Sequence, residues 1–106
     1  MSVTQYEVFE NPVPRARRAF PFVSVLQSDL ADTGSDRIVA PLVPHARIAG
    51  AAGRLMPIVK VLGIDHVLVV PRLVPMTAAD LRTAKDNLIG YRNDIVAALD
   101  LLFLGV

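Results

Sequence analysis

Short apolar runs separated by turn residues fill most of this chain, and one helical segment ends it. Val, Leu, Ile and Phe dominate these runs, as is typical of buried strands. The runs lie at residues 20–26, 37–42, 55–62 and 66–70. Val3 to Phe9 mixes β-branched and aromatic residues with polar ones and predicts a first strand. Gly63-Ile64-Asp65 predicts the turn of a hairpin between the last two runs.

The helical pattern lies at the carboxyl end of the chain. Thr77, followed three residues later by Asp80, has the form of a helix start, and the pattern becomes strong after Asp86. An apolar stripe follows at helical spacing, which we expect to pack on the sheet: Leu88, Ile95, Leu99 and Leu102. Strands followed by one terminal helix predict an α+β fold. We expect a single domain, 1–106, forming a small antiparallel, partly open SH3-like barrel with a C-terminal α-helix.

The last seven residues, D-L-L-F-L-G-V, include no charged side chain after Asp100. A rotation of about 100° per residue puts Leu101 and Leu104 opposite the predicted stripe, beside Ala97 and Gly90. An exposed leucine forgoes roughly 1.5–3 kcal/mol of available burial. The pattern therefore predicts a contact surface at the end of the helix, with scattered surface leucines as the alternative.

Composition narrows the classes of function. Apolar residues make up 53% of 106 residues, which indicates that part of the surface is buried between chains. The net charge of +1 predicts no nucleic-acid binding by the chain alone. Arg15, Arg17 and Arg18 form a local basic cluster, for which a solvated loop is favoured and a phosphate or acidic partner stays open. We expect no membrane span and a cytoplasmic location.

A search for catalytic and metal-binding patterns finds none that is convincing. The chain has no cysteine, and neither His45 nor His66 has a second ligand at metal spacing. The aspartates between residues 29 and 36 have the spacing of turn formers. We therefore expect no catalytic residue, metal or cofactor, and an interaction protein fits better than an enzyme.

Several stretches together resemble the CcdB family, the toxins of bacterial toxin–antitoxin modules. The stretches are Q-Y-E-V-F from Gln5, L-Q-S-D-L-A-D-T from Leu26, R-I-V-A-P-L from Arg37, L-M-P from Leu55, R-N-D-I from Arg92 and A-L-D-L-L-F-L-G-V from Ala98. The resemblance implies a homodimer of small barrels that a CcdA-like antitoxin neutralises, with autoregulated transcription. It also implies binding to the A subunit of DNA gyrase, which traps gyrase with its DNA cleaved, without catalysis by the toxin.

The resemblance also implies two sets of site residues. The gyrase-binding set is Leu30, Ala31, Asp100, Phe103, Leu104, Gly105 and Val106. The dimer-interface set is Gln27, Ser28, Ala97, Leu101, Leu104 and Val106. The best-known members of the family have Trp where this chain has Leu104, and Asn where it has Asp100.

Two other readings stay open. The MazF ribonucleases are similar to CcdB in fold, and Arg47, Arg54 or His45 would then serve as acid, base or phosphate clamp. A degenerate member that keeps antitoxin binding but has lost gyrase poisoning is the other reading.

Overall fold

The computed structural model describes residues 3–105 of the chain. Within this range, seven strands precede one α-helix. The strands are β1 (Glu7–Glu10), β2 (Phe22–Val25), β3 (Asp36–Pro44), β4 (Ile58–Val61), β5 (Ile64–Leu68), β6 (Val74–Thr77) and β7 (Ala84–Asn87), and the helix is α1 (Arg92–Leu104). Single 3-10 turns join several of them. No helix in the described range is long and apolar enough to cross a membrane.

The strands form one curled antiparallel sheet in the order β4-β5-β3-β2-β1-β7. The long strand β3 serves two neighbours, because residues 36–39 pair with β6 and residues 42–44 pair with β5. Each strand pairing is antiparallel, and β6 leaves the main path of the sheet. The fold is therefore the expected α+β type, a partly open SH3-like barrel with one C-terminal helix.

Alternation along the strands divides the apolar side chains between two clusters. Val8 and its neighbour Phe9 are both buried, but they belong to different clusters. The larger cluster lies under the helix and contains Leu42, Leu68 and Ile95, among others. The smaller one contains Phe9, Val23, Val25, Val39 and Leu81. The helix therefore covers one part of a sheet whose strands are apolar on both faces.

Side chains join the two edges of the barrel. Strands β4 and β7 lie at opposite ends of the strand order but come close in space. The Leu62 amide donates to Asp86 Oδ2 at 2.7 Å, and the Lys60 amide donates to Tyr91 Oη at 3.0 Å. We call these two hydrogen bonds the seam. The amides of Lys60, in β4, and of Leu62, directly after it, thereby gain partners that a neighbouring strand would otherwise supply.

The helix begins later than the sequence pattern predicts. The predicted start at Thr77 is wrong, because Thr77 is paired with Asp36 at the end of β6. Ala78–Asp80 makes one 3-10 turn without a side-chain cap, and the chain then enters β7. The α-helix starts at Arg92. The tertiary pairing of β6 with β3 outweighs a local capping signal.

The helix ends at Gly105, which has a φ of +74°. Its amide donates to the carbonyl oxygens of Asp100 and Leu101 at 3.0 and 3.2 Å. Glycine adopts this left-handed conformation without a Cβ clash, so it closes the last turn of the helix. The apolar residues just before it are thereby held in regular helical geometry.

The four apolar runs predicted as strands correspond to β2, β3, β4 and β5, with shifted ends. The first strand begins at Glu7 instead of Val3, because Tyr6 has a φ of +72° and turns the chain before it. The sequence pattern did not predict β6 and β7. Both are short and mostly exposed; β7 is largely polar and Pro75 interrupts β6, so neither has the long apolar run that marks β2 to β5.

Candidate partner-binding surface

The last turn of α1 presents two large apolar side chains to solvent. Phe103 is 68% exposed and Leu104 is 71% exposed. On the other side of the helix, Ile95 and Ala98 are fully buried, and Leu99 and Leu102 pack against the same cluster. The predicted stripe therefore covers the sheet, and the helix end keeps apolar area free for a partner. Val106 lies outside the described residues.

A second line of the helix borders an open groove. Ala97 is exposed and Leu101 is half-buried, so Leu101 is less exposed than its angular position predicts. Ala97 and Asp94 line a groove of about 660 Å³. The remaining lining residues come from the segment before β4 and from its start: Ala52, Gly53, Arg54, Pro57 and Ile58. Of the dimer residues predicted on the helix, Ala97 lines this groove, whereas Leu101 and Leu104 do not.

Leu30 is 96% exposed, the highest value among the large apolar side chains of the described range. It lies in the loop between β2 and β3, where its amide donates to Ser28 Oγ at 3.1 Å. The Ala31 amide donates to the Ser28 carbonyl oxygen at 3.0 Å and closes a tight turn. The turn holds Leu30 outward on an ordered loop, which is typical of a contact residue.

Gln27 braces this loop from inside. Its Nε2 donates to the Ala31 carbonyl oxygen at 2.9 Å, and its Oε1 accepts the Ile38 amide at 2.9 Å. Thr33 Oγ1 lies within hydrogen-bond distance of the same side chain and donates to the Asp36 carbonyl oxygen at 2.6 Å. The amide of Gln27 is therefore engaged within its own chain. A dimer contact by Gln27 and Ser28 stays a prediction, and the bracing role is one that the sequence did not indicate.

The loop and the helix that form the predicted gyrase surface both contribute side chains to the larger cluster. Leu26, at the start of the loop, belongs to the cluster that Leu99 and Leu102 of the helix pack against. The exposed residues of the loop and of the helix line different cavities. Ala31 lines a cavity with Val3 and Arg37, whereas the groove beside the helix is lined by other residues. Asp100 is exposed, and its carbonyl oxygen takes part in the helix end.

The residues considered for ribonuclease chemistry have separate roles. Arg47 Nη1 donates to the carbonyl oxygen of Arg18, and Arg54 lines the groove beside Asp94. His45 begins the 3-10 turn that contains Arg47. No hydrogen bond joins any two of the three side chains in the part of the chain that the structure describes. Residues 3–105 also contain no group of three His, Asp or Glu side chains that could hold a metal ion.

One ion pair shifts the pKa values of its partners. Lys60 Nζ donates to Asp65 Oδ1 at 2.9 Å on the outer side of the β4–β5 hairpin. This hydrogen bond, with the charge of Lys60, lowers the pKa of Asp65, and Asp65 raises the pKa of Lys60 in the same way. Both groups are exposed, so the pair is a surface feature of the hairpin.

Comparison with known proteins agrees with the resemblance seen in the sequence. No curated protein matches the chain. The family described as CcdB protein matches residues 5–105, which is nearly the whole chain. This match and the barrel with its terminal helix lead to one conclusion: the chain belongs to the CcdB family, the toxins of bacterial toxin–antitoxin modules.

Proposed function

We propose that this toxin acts as a homodimer that binds the A subunit of DNA gyrase and holds the enzyme on cleaved DNA. The observation that carries the proposal is the exposed, ordered helix end with Phe103 and Leu104. A regular last turn presents both side chains at low ordering cost, because the Gly105 cap already fixes the backbone. Leu30 and Ala31 extend the proposed surface from the loop between β2 and β3.

The proposal assigns binding to the chain and catalysis to its target. Phe103, Leu104, Gly105 and Val106 form an apolar wedge, and Asp100 lies beside it. Ala97, Leu101 and the neighbouring groove form part of the contact between the two copies. A CcdA-like antitoxin neutralises the dimer in the cytoplasm, and the pair regulates its own transcription. The separate roles of Arg47, Arg54 and His45 support this reading over a ribonuclease.

The apolar area at the helix end sets the expected magnitude. Burying a large apolar side chain yields roughly 1.5–3 kcal/mol, and about two thirds of each of these two is still free. Their joint contribution to target binding is therefore about 2–4 kcal/mol. Since 1.4 kcal/mol is a factor of ten, Phe103→Ser with Leu104→Ser weakens gyrase binding by about 30- to 700-fold.

The experiment incubates the purified protein with gyrase and supercoiled plasmid, and separately with RNA. We expect linear plasmid after the complex is denatured, and intact RNA. The double serine variant lowers the yield of linear plasmid while its unfolding midpoint stays unchanged, because both side chains are exposed. Ile64→Thr, which changes an apolar residue that is 62% exposed on β5, serves as the matched control. RNA fragments without linear plasmid contradict the proposal.

A gain of function tests the wedge from the other direction. An aromatic anchor at an interface is commonly worth 2 kcal/mol or more. Leu104→Trp restores the residue of the best-known family members and strengthens gyrase binding by about 25-fold. Growth arrest on expression without antitoxin provides the cellular readout. Absence of growth arrest in both the natural chain and the Trp variant supports the degenerate-member reading instead.

A further inference from the structure

The two ends of the sheet carry opposite charge. The chain has 11 basic and 10 acidic residues, so its net charge is small. Seven of the basic residues nevertheless lie around the end of the sheet where β1 ends and β2 begins. We call this set the basic end: Arg15, Arg17, Arg18, Arg47, Arg72, Arg82 and Lys85. At the other end of β2, the loop to β3 carries Asp29, Asp32 and Asp36.

Strand pairing explains why residues distant in sequence meet at this end. Antiparallel pairing puts the end of β3 beside the start of β2, since Phe22 pairs with Leu42. It also puts the start of β7 beside the end of β1, since Phe9 pairs with Ala84. The turn that contains Arg47 follows β3 directly. The topology thus collects basic side chains from several separate loops.

Several guanidinium groups are anchored on one segment, residues 11–20. Arg17 Nε donates to the Asn11 carbonyl oxygen at 2.6 Å, and Arg47 Nη1 donates to the Arg18 carbonyl oxygen. The guanidinium carbon of Arg72 lies 5.6 Å from the centre of the Phe20 ring. Each of these three contacts is made to a neutral group and leaves the charge of the cation in place, although Arg17 is also paired with Glu10. Held cations lose less side-chain entropy when an anion binds them.

Carboxylates near the basic end leave a clear excess of positive charge. Glu10 and Asp80 line a cavity of about 450 Å³ together with Arg17, Arg82 and Lys85. Glu10 is paired with Arg17 at 3.2 Å. Asp65, in β5, is paired with Lys60 at 2.9 Å. The basic end therefore faces solvent as a cationic surface.

We propose that the basic end binds the phosphate backbone of duplex DNA. Six of its seven cations are arginines, whose planar guanidinium suits phosphate oxygens. The cavity is lined by charged and polar residues with Pro12 as the apolar exception, which suits phosphate better than the apolar anchors of a peptide. The Phe20 ring already carries Arg72, so it does not serve as a stacking platform for single-stranded bases. Six of the seven cations lie on loops and short turns, Lys85 lies in β7, and none lies on the helix, so we expect phosphate contacts that do not depend on base sequence.

This surface is separate from the proposed gyrase contact. The basic end lies at the start of β2, and Leu30 follows the end of the same strand. The small net charge of the chain averages over the two ends and conceals the basic one. DNA binding by the basic end can therefore be tested in an assay that contains no gyrase, independently of the proposed function.

The test measures fluorescence anisotropy of two unrelated labelled duplexes of about 25 base pairs, titrated with the purified full chain in about 25–200 mM salt. We expect similar affinity for both duplexes and a linear fall of log K with log salt, at about −0.9 per phosphate contacted. Arg15→Gln with Arg18→Gln weakens binding about tenfold at low salt and reduces the slope by about two. Arg82→Gln with Lys85→Gln, on a different segment, has the same effect.

Lys60→Gln with Arg92→Gln is the matched control, because it removes the same charge from exposed residues outside the basic end and outside the proposed contact surfaces. It leaves DNA affinity within about twofold of the natural chain. Absence of DNA binding at the lowest salt overturns the proposal, and so does equal weakening by the control. Preference for single-stranded DNA, or binding of labelled polyglutamate without binding of duplex, assigns the surface to a different partner and likewise overturns it.

Discussion

We predict how much the two hydrogen bonds of the seam contribute to the free energy of unfolding. Asp86→Ala removes the acceptor of the Leu62 amide and also that of the Asn87 amide, which donates to Asp86 Oδ1 at 2.8 Å. A hydrogen bond to a charged group contributes about 1.5–3 kcal/mol, less where water can replace it. Both donors are exposed, so we expect a loss of about 2 kcal/mol in the free energy of unfolding.

Tyr91→Phe isolates the other half of the seam. It removes the hydroxyl that accepts the Lys60 amide at 3.0 Å and keeps the ring, which packs against the main cluster. A neutral hydrogen bond contributes about 1 kcal/mol, and we expect that loss here. The double variant loses less than the sum of the two single losses, because the first opening already frees the edge of β4.

Urea unfolding measures these losses, and native-state hydrogen exchange locates them. The amides of Lys60 and Leu62 are protected in the natural chain and exchange faster in the variant that lacks their acceptor. Asp80→Ala is the control, since Asp80 is exposed and outside the seam. The reasoning is refuted if both amides exchange at the unprotected rate in the natural chain. It is also refuted if both variants match Asp80→Ala in stability.

Three further predictions concern single positions. Ser24 Oγ is buried without a hydrogen-bond partner in the described part of the chain, so Ser24→Ala raises the free energy of unfolding by about 1 kcal/mol in urea denaturation; a loss of stability contradicts this. Leu62 has a φ of +51°, a conformation that Asn adopts at lower cost than Leu. Leu62→Asn therefore stabilises the protein by about 0.5–1 kcal/mol. An unchanged midpoint of urea unfolding argues against strain at this position. Lys60→Met raises the pKa of Asp65, followed by NMR titration, toward its ordinary value of 3.8, because the two largest lowering effects both come from Lys60. Because folding lowers that pKa, the ion pair stabilises the natural chain above this value and stops doing so as the pH falls through the folded pKa, and a pKa that does not move refutes the pairing.

The sequence predicted those elements whose residues carry a strong local pattern. Phe22–Val25 and Ile64–Leu68 lie in continuous apolar runs, and Ile95 to Leu102 repeats at helical spacing. These elements are buried, and burial requires apolar residues at regular positions, so the sequence pattern predicts them. Strands β6 and β7 are mostly exposed, and pairing with β3 and β1 forms them. Thr77 shows the limit, because a good capping signal is overridden by a strand partner.

One part of the candidate site could be predicted from the sequence, and another part is visible only in the structure. The exposure of Leu104 followed from its position on the helix, since a known buried stripe fixes the direction of the other side chains. Phe103 is exposed as well, although the periodicity predicted only Leu101 and Leu104 on the free side. Gln27 holds the loop of Leu30 through hydrogen bonds to the backbone of Ala31 and Ile38. No local sequence pattern predicts these contacts.

Sequence alone determined the fold class, which follows from the order of the elements. It also determined the buried stripe of the helix and the free apolar end, which follow from periodicity within one segment. Tertiary structure alone decided the seam of Asp86 and Tyr91 with β4, and the gathering of Arg17, Arg47 and Arg72 at one end of the sheet. These features join residues many positions apart. Strand order and register bring them together, and no local pattern encodes that distance.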